Sequence, residues 1–314
     1  MFDFIAGPLG QLLYYIYKYL SFESYGLAII IFTIIIKLIL LPLTIKQQKS
    51  SIKMQEMQPK IKEIQEKYKG DKERLNQETM KLYKDGGYNP LGGCLPLLVQ
   101  LPILFALYSV ITNPLRFMFG ITTAQLSTIS QFIVDNKLGV LTKGLSRLSD
   151  INIINTFAKN MDRLGEVTAQ IPKFTEDAIM NLRFLGIDLG LTPTYDTAKL
   201  FGADMGIWLP MLLIPVLAAV TTWLSIKFAT PKNLTPAVTN AKPGEKKSGA
   251  ADIGKSMTMI MPVITLMFAF SVPAGLGIYW IVSSVVQIVQ QFFINKYILK
   301  HEKDVKPVKV ITEK

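Results

Sequence analysis

The chain has 314 residues, half of them hydrophobic, with a formal net charge of +11 and a single cysteine, Cys94. One cysteine excludes a disulfide framework. The apolar content leaves two classes, one large domain with an extensive core or a membrane protein, and the length of the apolar runs decides between them.

Residues 1–26 form a head whose stretch GPLGQLLYYIYKYL carries Leu, Tyr and Ile on most faces and few charges. It reads either as an interfacial helix on the outer leaflet or as an unstructured lead-in. The opening MFDFIAGPLG has no basic n-region, so no cleaved signal peptide is expected, and no cysteine near it offers a lipid-attachment site. The first run, Leu27–Leu43, is apolar except for Thr33 and Lys37 and is read as a span over 27–45.

Residues 46–94 follow on one side of the membrane. Met54, Met57, Ile61, Ile64 and Tyr68 recur at a 3-4-3-4 spacing, which gives one narrow apolar seam on a helix. Pro59 lies inside that pattern, where proline can kink a helix. Gly70 ends the helix, Asp71 caps a second one bearing Leu75, Leu82 and Tyr83 on one side, and Gly86-Gly87 closes it. These signals predict an α-hairpin over 46–85 with Lys- and Gln-rich outer faces.

The second run is Leu95–Ile111, with Cys94 at its start as a small apolar filler. Residues 112–206 mix short apolar patches with polar stretches. Short helices are expected there and no sheet, and 121–180 carry no pattern to which a physical role can be tied. The third run, Ile207–Ile226, gives a span over 207–229. A Pro/Gly/Lys/Ala linker expected to be disordered fills 230–256. Met257–Val272 and Ala274–Ile294 give the fourth and fifth spans, 257–272 and 273–295, and a polar, basic tail covers 296–314. Helices of about 17–25 apolar residues cross a bilayer. The expected architecture is therefore an all-α polytopic membrane protein with five transmembrane helices. No internal repeat stands out, which weighs against a repeat-built transporter.

Lys/Arg bias sets the orientation. Ten Lys/Arg lie in Gln47–Cys94, five Lys in Thr230–Ser256 and six in the tail, against one, Lys18, in the head; the nine in Thr112–Gly206 are balanced by nine Asp/Glu. The head is thus expected outside and the tail in the cytoplasm, where the surplus charge would meet anionic lipids or RNA.

Lys37 is the chemical anomaly. A charge at mid-membrane costs about 2.5–3.5 kcal/mol on insertion scales, and none of the five runs supplies an acidic partner. The ammonium can snorkel to headgroups or face a hydrated cavity. Spacing favours the cavity. Thr33, Lys37, Thr44 and Gln48 share one helical face, and the last span carries a matching stripe of Ser284, Gln287, Gln291 and Asn295, with Ser283 and Gln290 alongside. Gln100 in the second span and Thr221, Thr222 and Ser225 in the third add polar groups, which in lipid turn toward the bundle interior or bond helices together. The expected site is a substrate groove of Lys37, Thr33, Gln100, Ser284, Gln287 and Gln291, wet, mildly positive and open to the cytoplasm.

Proton- or ion-coupled transport normally uses intramembrane carboxylates or histidines, and the sole histidine, His301, lies in the tail. No metal-ligand cluster and no phosphate loop is present. A Ser–Lys hydrolase pairing Lys37 with Ser284 lacks anything to orient the pair. No enzyme activity and no cofactor is expected. Two readings stay in play, a membrane chaperone that inserts polypeptides and a solute or ion channel.

The stretches TIIIKLILLPLT, NPLGGCLPLLVQLPILFALY (Asn89–Tyr108), FLGIDL (Phe184–Leu189) and MPVITLMFAFSVPAGLGIYW (Met261–Trp280) occur in an order and spacing that resemble the YidC family of membrane protein insertases. The resemblance implies five core helices around a groove open to cytoplasm and lipid. It implies insertion of nascent membrane proteins without nucleotide hydrolysis, alone or beside the Sec translocon, in a bacterial plasma membrane. The hairpin and tail would meet substrate and ribosome. Two departures stand out. The family's groove charge is typically arginine, where this chain has Lys37, which keeps the charge but loses the planar fork. The 112–206 connection is also longer than in compact family members.

Overall fold

The computed structural model describes residues 3–85, 95–138, 149–229, 250–294 and 296. The head is helical from Asp3 to Tyr19 (α1) and buries Ala6, Gly10, Leu13, Ile16 and Tyr17 along one stripe. That stripe packs on the first two apolar segments, so the head is not an unstructured lead-in.

The first apolar run is broken. Ser24 caps a helix over Tyr25–Ile39 (α2), a second helix runs Leu41–Lys67 (α3), and the two meet at 56°. Pro42 explains the break: it has no N–H to give the Leu38 carbonyl four residues back, and its ring crowds that carbonyl. Thr33 and Lys37 precede the bend and Thr44 and Gln48 follow it. The single face read across all four therefore does not carry through.

Beyond the bend α3 passes Pro59 and continues to Lys67. The backbone N–H of Arg74 donates to Asp71 Oδ1 at 3.0 Å, which caps Lys72–Asp85 (α4). α4 packs back on α3, where Ile61 is only 4% exposed although the surrounding faces are polar. Gly86, Gly87 and Cys94 lie outside the described residues.

Leu95–Thr112 forms α5. The long connection then folds as Pro114–Phe117 (α6), Thr123–Asp135 (α7), Asp150–Phe157 (α8) and Leu164–Thr168 (α9). Its amphipathic faces meet in a core continuous with that of the apolar helices: Leu126, Ile129, Ile154, Phe157 and Phe174 are fully buried, and the Phe157 and Phe174 rings cross edge to face at 5.1 Å. This gives the region between 121 and 180 the role that its sequence pattern withheld.

An antiparallel two-stranded hairpin follows, Arg183–Phe184 (β1) and Ile187–Asp188 (β2). It corrects the expectation of no sheet. Two residues per strand cannot display the period-2 alternation by which a strand is recognised. Thr197–Leu200 forms α10.

Met205–Met211 (α11) and Leu213–Ala229 (α12) make a continuous apolar segment of 25 residues. Ala250–Ala269 (α13) begins inside the segment read as a linker, so residues 250–256 are helical rather than disordered; 230–249 lie outside the described residues. Ala274–Phe293 (α14) is the last helix, and of the tail only residue 296 is described. Residues 205–229 and 274–293 are long and apolar enough to cross a membrane, the bent α2–α3 pair makes a third, and Leu101–Thr112 within α5 and Ile260–Ala269 within α13 are shorter apolar stretches. The chain is mostly helical, as an all-α membrane protein should be.

α14 is the hub, packing on α12, α2, α5 and α13. Close approach to α12 depends on Gly277, where a Cβ would collide with Ile214 Cγ2. Away from these contacts Val216, Trp223, Met267, Phe268, Val289 and Phe292 point outward, an apolar exterior suited to lipid.

Candidate functional site

Polar side chains gather where α14 crosses α2 and α12. Lys37 stands in the last turn of α2, half-buried, where a helix C-terminus favours a cation. Its own backbone carbonyl would ordinarily accept from the N–H four residues on, but the helix has already turned. Gln290 of α14 supplies the missing donor, Nε2 to Lys37 O at 2.9 Å. The break in the first span and the amide of the last are thus complementary, because a carbonyl left unpaired in an apolar setting is costly.

The remaining site residues divide into two kinds. Thr33 is fully buried and donates to the Ile29 carbonyl at 2.6 Å, so its hydroxyl is satisfied within its own helix. Ser284 lies 3.4 Å from Thr222 Oγ1 across the α14–α12 contact, and Ser225 donates to the Thr222 carbonyl at 2.9 Å. Gln290 and Gln291 are buried, at 7% and 5% exposure, and Gln287 is half-buried. Gln100 falls on α5, but its side chain lies outside the described residues. Gln48, past the bend, has its amide nitrogen buried with no hydrogen-bond partner among the described residues.

The structure therefore brings Lys37 to α14, and Ser284 to Thr222, but does not join Ser284 to Lys37. No ion pair among the described residues involves Lys37, and no group of three His, Cys, Asp or Glu there could hold a metal. The arrangement is a set of amides and hydroxyls on α14 and α12 tied to α2 through the Lys37 backbone, able to bind polar groups but without a nucleophile paired to a base. Gln290 is the residue sequence reasoning undervalued. It lies three positions after Gln287, a signal that was legible, yet only the bend in α2 gives it a target.

The model of the 60Kd inner membrane protein family matches residues 15–302, nearly the whole chain. The chain belongs to that family. It is 30% identical over 300 residues to a Bacillus anthracis protein called membrane protein insertase YidC 2, covering 93% of this chain and 80% of that one. It is 30% identical to a Fusobacterium nucleatum protein called membrane protein insertase YidC, covering 87% of each. A Pelobacter propionicus protein of the same name matches 95% of this chain at 29% identity, but only 39% of its own length takes part. The resemblance read from four short stretches thus extends across the chain.

Proposed function

We propose that this chain is a membrane protein insertase: it receives nascent polypeptide segments in a hydrated, positively charged groove and releases their apolar parts into the bilayer without nucleotide hydrolysis. The observation that carries the reading is Lys37, a half-buried cation on the turn of α2 that Gln290 of α14 binds through the backbone, with no ion pair among the described residues. An ammonium so placed suits an acidic or polar segment in transit, because charge-assisted hydrogen bonds exceed neutral ones. Gln100, Ser284, Gln287 and Gln291 complete the lining, with Thr33 packed behind it, and Gln48 adds a donor for water or for a client carbonyl.

The same reading assigns five spans: α2 with the start of α3, then α5, α11–α12, α13 and α14. The runs Leu95–Ile111 and Met257–Val272 sit at the short end of the length that crosses a bilayer, and would thin the bilayer around the groove and shorten a polar segment's path. The head and the 112–206 connection lie outside, and the α3–α4 hairpin and tail lie in the cytoplasm. There they meet the client, the ribosome and anionic lipid, and the protein works alone or beside the Sec translocon.

A photocrosslinker at position 287 tests this. In proteoliposomes supplied with translating ribosomes, it should capture nascent membrane proteins, and insertion should proceed without nucleotide once translation is complete. Absence of crosslinks, together with ion conductance from the purified chain, would replace the insertase with a channel.

A further inference from the structure

The turn between α1 and α2 and the β1–β2 hairpin present large apolar side chains to the exterior at positions where such residues are unusual. Leu185 and Gly186, the two residues linking β1 to β2, have φ of 50° and 81°. Positive φ at both central residues is what a two-residue type I′ hairpin needs, and Asn-Gly is its usual choice. Here Leu185 takes the strained place with 86% of its surface exposed. Phe22, between α1 and α2, repeats the pattern at φ 50° and 93% exposure, beside Leu20 at 55%. Water at these tips would favour a small polar residue, which adopts left-handed backbone at less cost.

The two tips sit at one level of the fold. Ser24, which caps α2, pairs with Asn181 in a parallel bridge, and Phe184 packs on Gly26 so closely that no Cβ would fit there. Leu185 is therefore held beside the first turn of α2, the edge of the layer that helix enters. Nearby acids are paired: Glu23 and Asp177, though exposed, both bind Lys18 at 2.8 Å, and Asp188 Oδ1 accepts from the Gly190 N–H. Arg183, one residue before Phe184, is exposed and complements a phosphate headgroup.

We infer that the β1–β2 tip and the α1–α2 turn form a lipid-interface anchor, with Leu185 and Phe22 dipping into the leaflet at the N-terminal end of α2 and Arg183 bonding to phosphate. The inference rests on the proposed reading of α2 as part of a membrane span. Continuity with that span commits the surface to lipid rather than to a protein partner. The anchor fixes the connection 112–206 to the membrane at a second place besides the helices that flank it.

Nitroxide labels test it on the full chain with Cys94→Ser, in vesicles of phosphatidylethanolamine and phosphatidylglycerol. Labels enter through Leu185→Cys and Phe22→Cys, with Val216→Cys on exposed α12 as lipid reference and Asp196→Cys as aqueous reference. Oxygen partitions into lipid and a nickel chelate into water. The oxygen-to-nickel accessibility ratio at 185 and 22 should match position 216 and exceed position 196 severalfold. A ratio at 185 and 22 equal to that at 196, with 216 still lipid-like, overturns the anchor and leaves the membrane reading intact. Shielding of 185 and 22 from both reagents indicates a covering protein and also overturns it. An aqueous ratio at 216 overturns the spanning reading itself.

Discussion

Gln290 donates its side-chain amide to the backbone carbonyl of Lys37 at 2.9 Å, joining residues 253 positions apart. The bond compensates for the helix break that Pro42 imposes, and it ties the turn of α2 that bears Lys37 to the polar stripe of α14.

Gln290→Leu should therefore loosen the α2–α14 contact. Hydrogen bonds between membrane helices are worth up to about 1–2 kcal/mol, and the variant should melt at lower temperature in detergent by an amount of that order. Gln287→Leu, which removes no bond to α2, should shift the midpoint less. Equal midpoints for wild type and Gln290→Leu would remove this bond from the account of the bend.

Lys37→Ala should slow insertion of clients with acidic translocated segments by about tenfold, since a hydrogen bond to a charged group is worth about 1.5–3 kcal/mol and water competes for it. Lys37→Arg should retain most of the rate, because a hydrated positive point needs no planar fork. Protease protection of such clients in proteoliposomes reads the difference. Similar rates for all three proteins would dissociate the cation from function.

Gly277→Ala should destabilise the bundle. The new Cβ meets Ile214 Cγ2, and overpacking costs about 1–3 kcal/mol. Adding Ile214→Ala should recover part of the loss in thermal unfolding. A double variant no more stable than the single would mean that the two residues do not share the contact.

Alkaline conditions should weaken the junction of α1 with the connection. Burial, and then the charge of Glu23, push the Tyr17 hydroxyl up to about 12 from 10.0. The folded state thus keeps its proton where the unfolded state has lost it, so stability falls as pH rises from about 10 toward 12. The Lys18 ammonium is likewise held above its ordinary range by hydrogen bonds to Asp177 and Glu23, so its contribution also declines as pH rises above its ordinary value of 10.5. Tyr17→Phe should flatten the decline between pH 10 and 12, followed by intrinsic fluorescence; an unchanged slope would clear Tyr17 of the effect.

Ile61→Ala should detach α4 from α3. The side chain is nearly fully buried on an otherwise polar hairpin, and truncating such an isoleucine costs about 2 kcal/mol or more. Amide exchange across 72–85 should accelerate while that in α14 stays slow. Unaltered protection in α4 would show that it holds its helix without the contact.

The amino-acid sequence determined the helical membrane class, the α-hairpin and the chemical identity of the site. Uninterrupted apolar runs, a 3-4-3-4 seam closed by Gly70 and Asp71, and a lysine without an acid nearby are local features that the chain displays wherever it folds. Tertiary structure decided how they combine. Pro42 was visible, but not that the carbonyl freed at Lys37 would be met by Gln290 rather than left to the bend. Gln48 lost its place on the Lys37 face for the same reason. The core between 121 and 180 escaped notice because its helices are short and bury their apolar sides against one another, so no single segment is periodic for long enough to stand out. Contacts between distant residues depend on where every intervening element goes, and that information is spread over the whole chain.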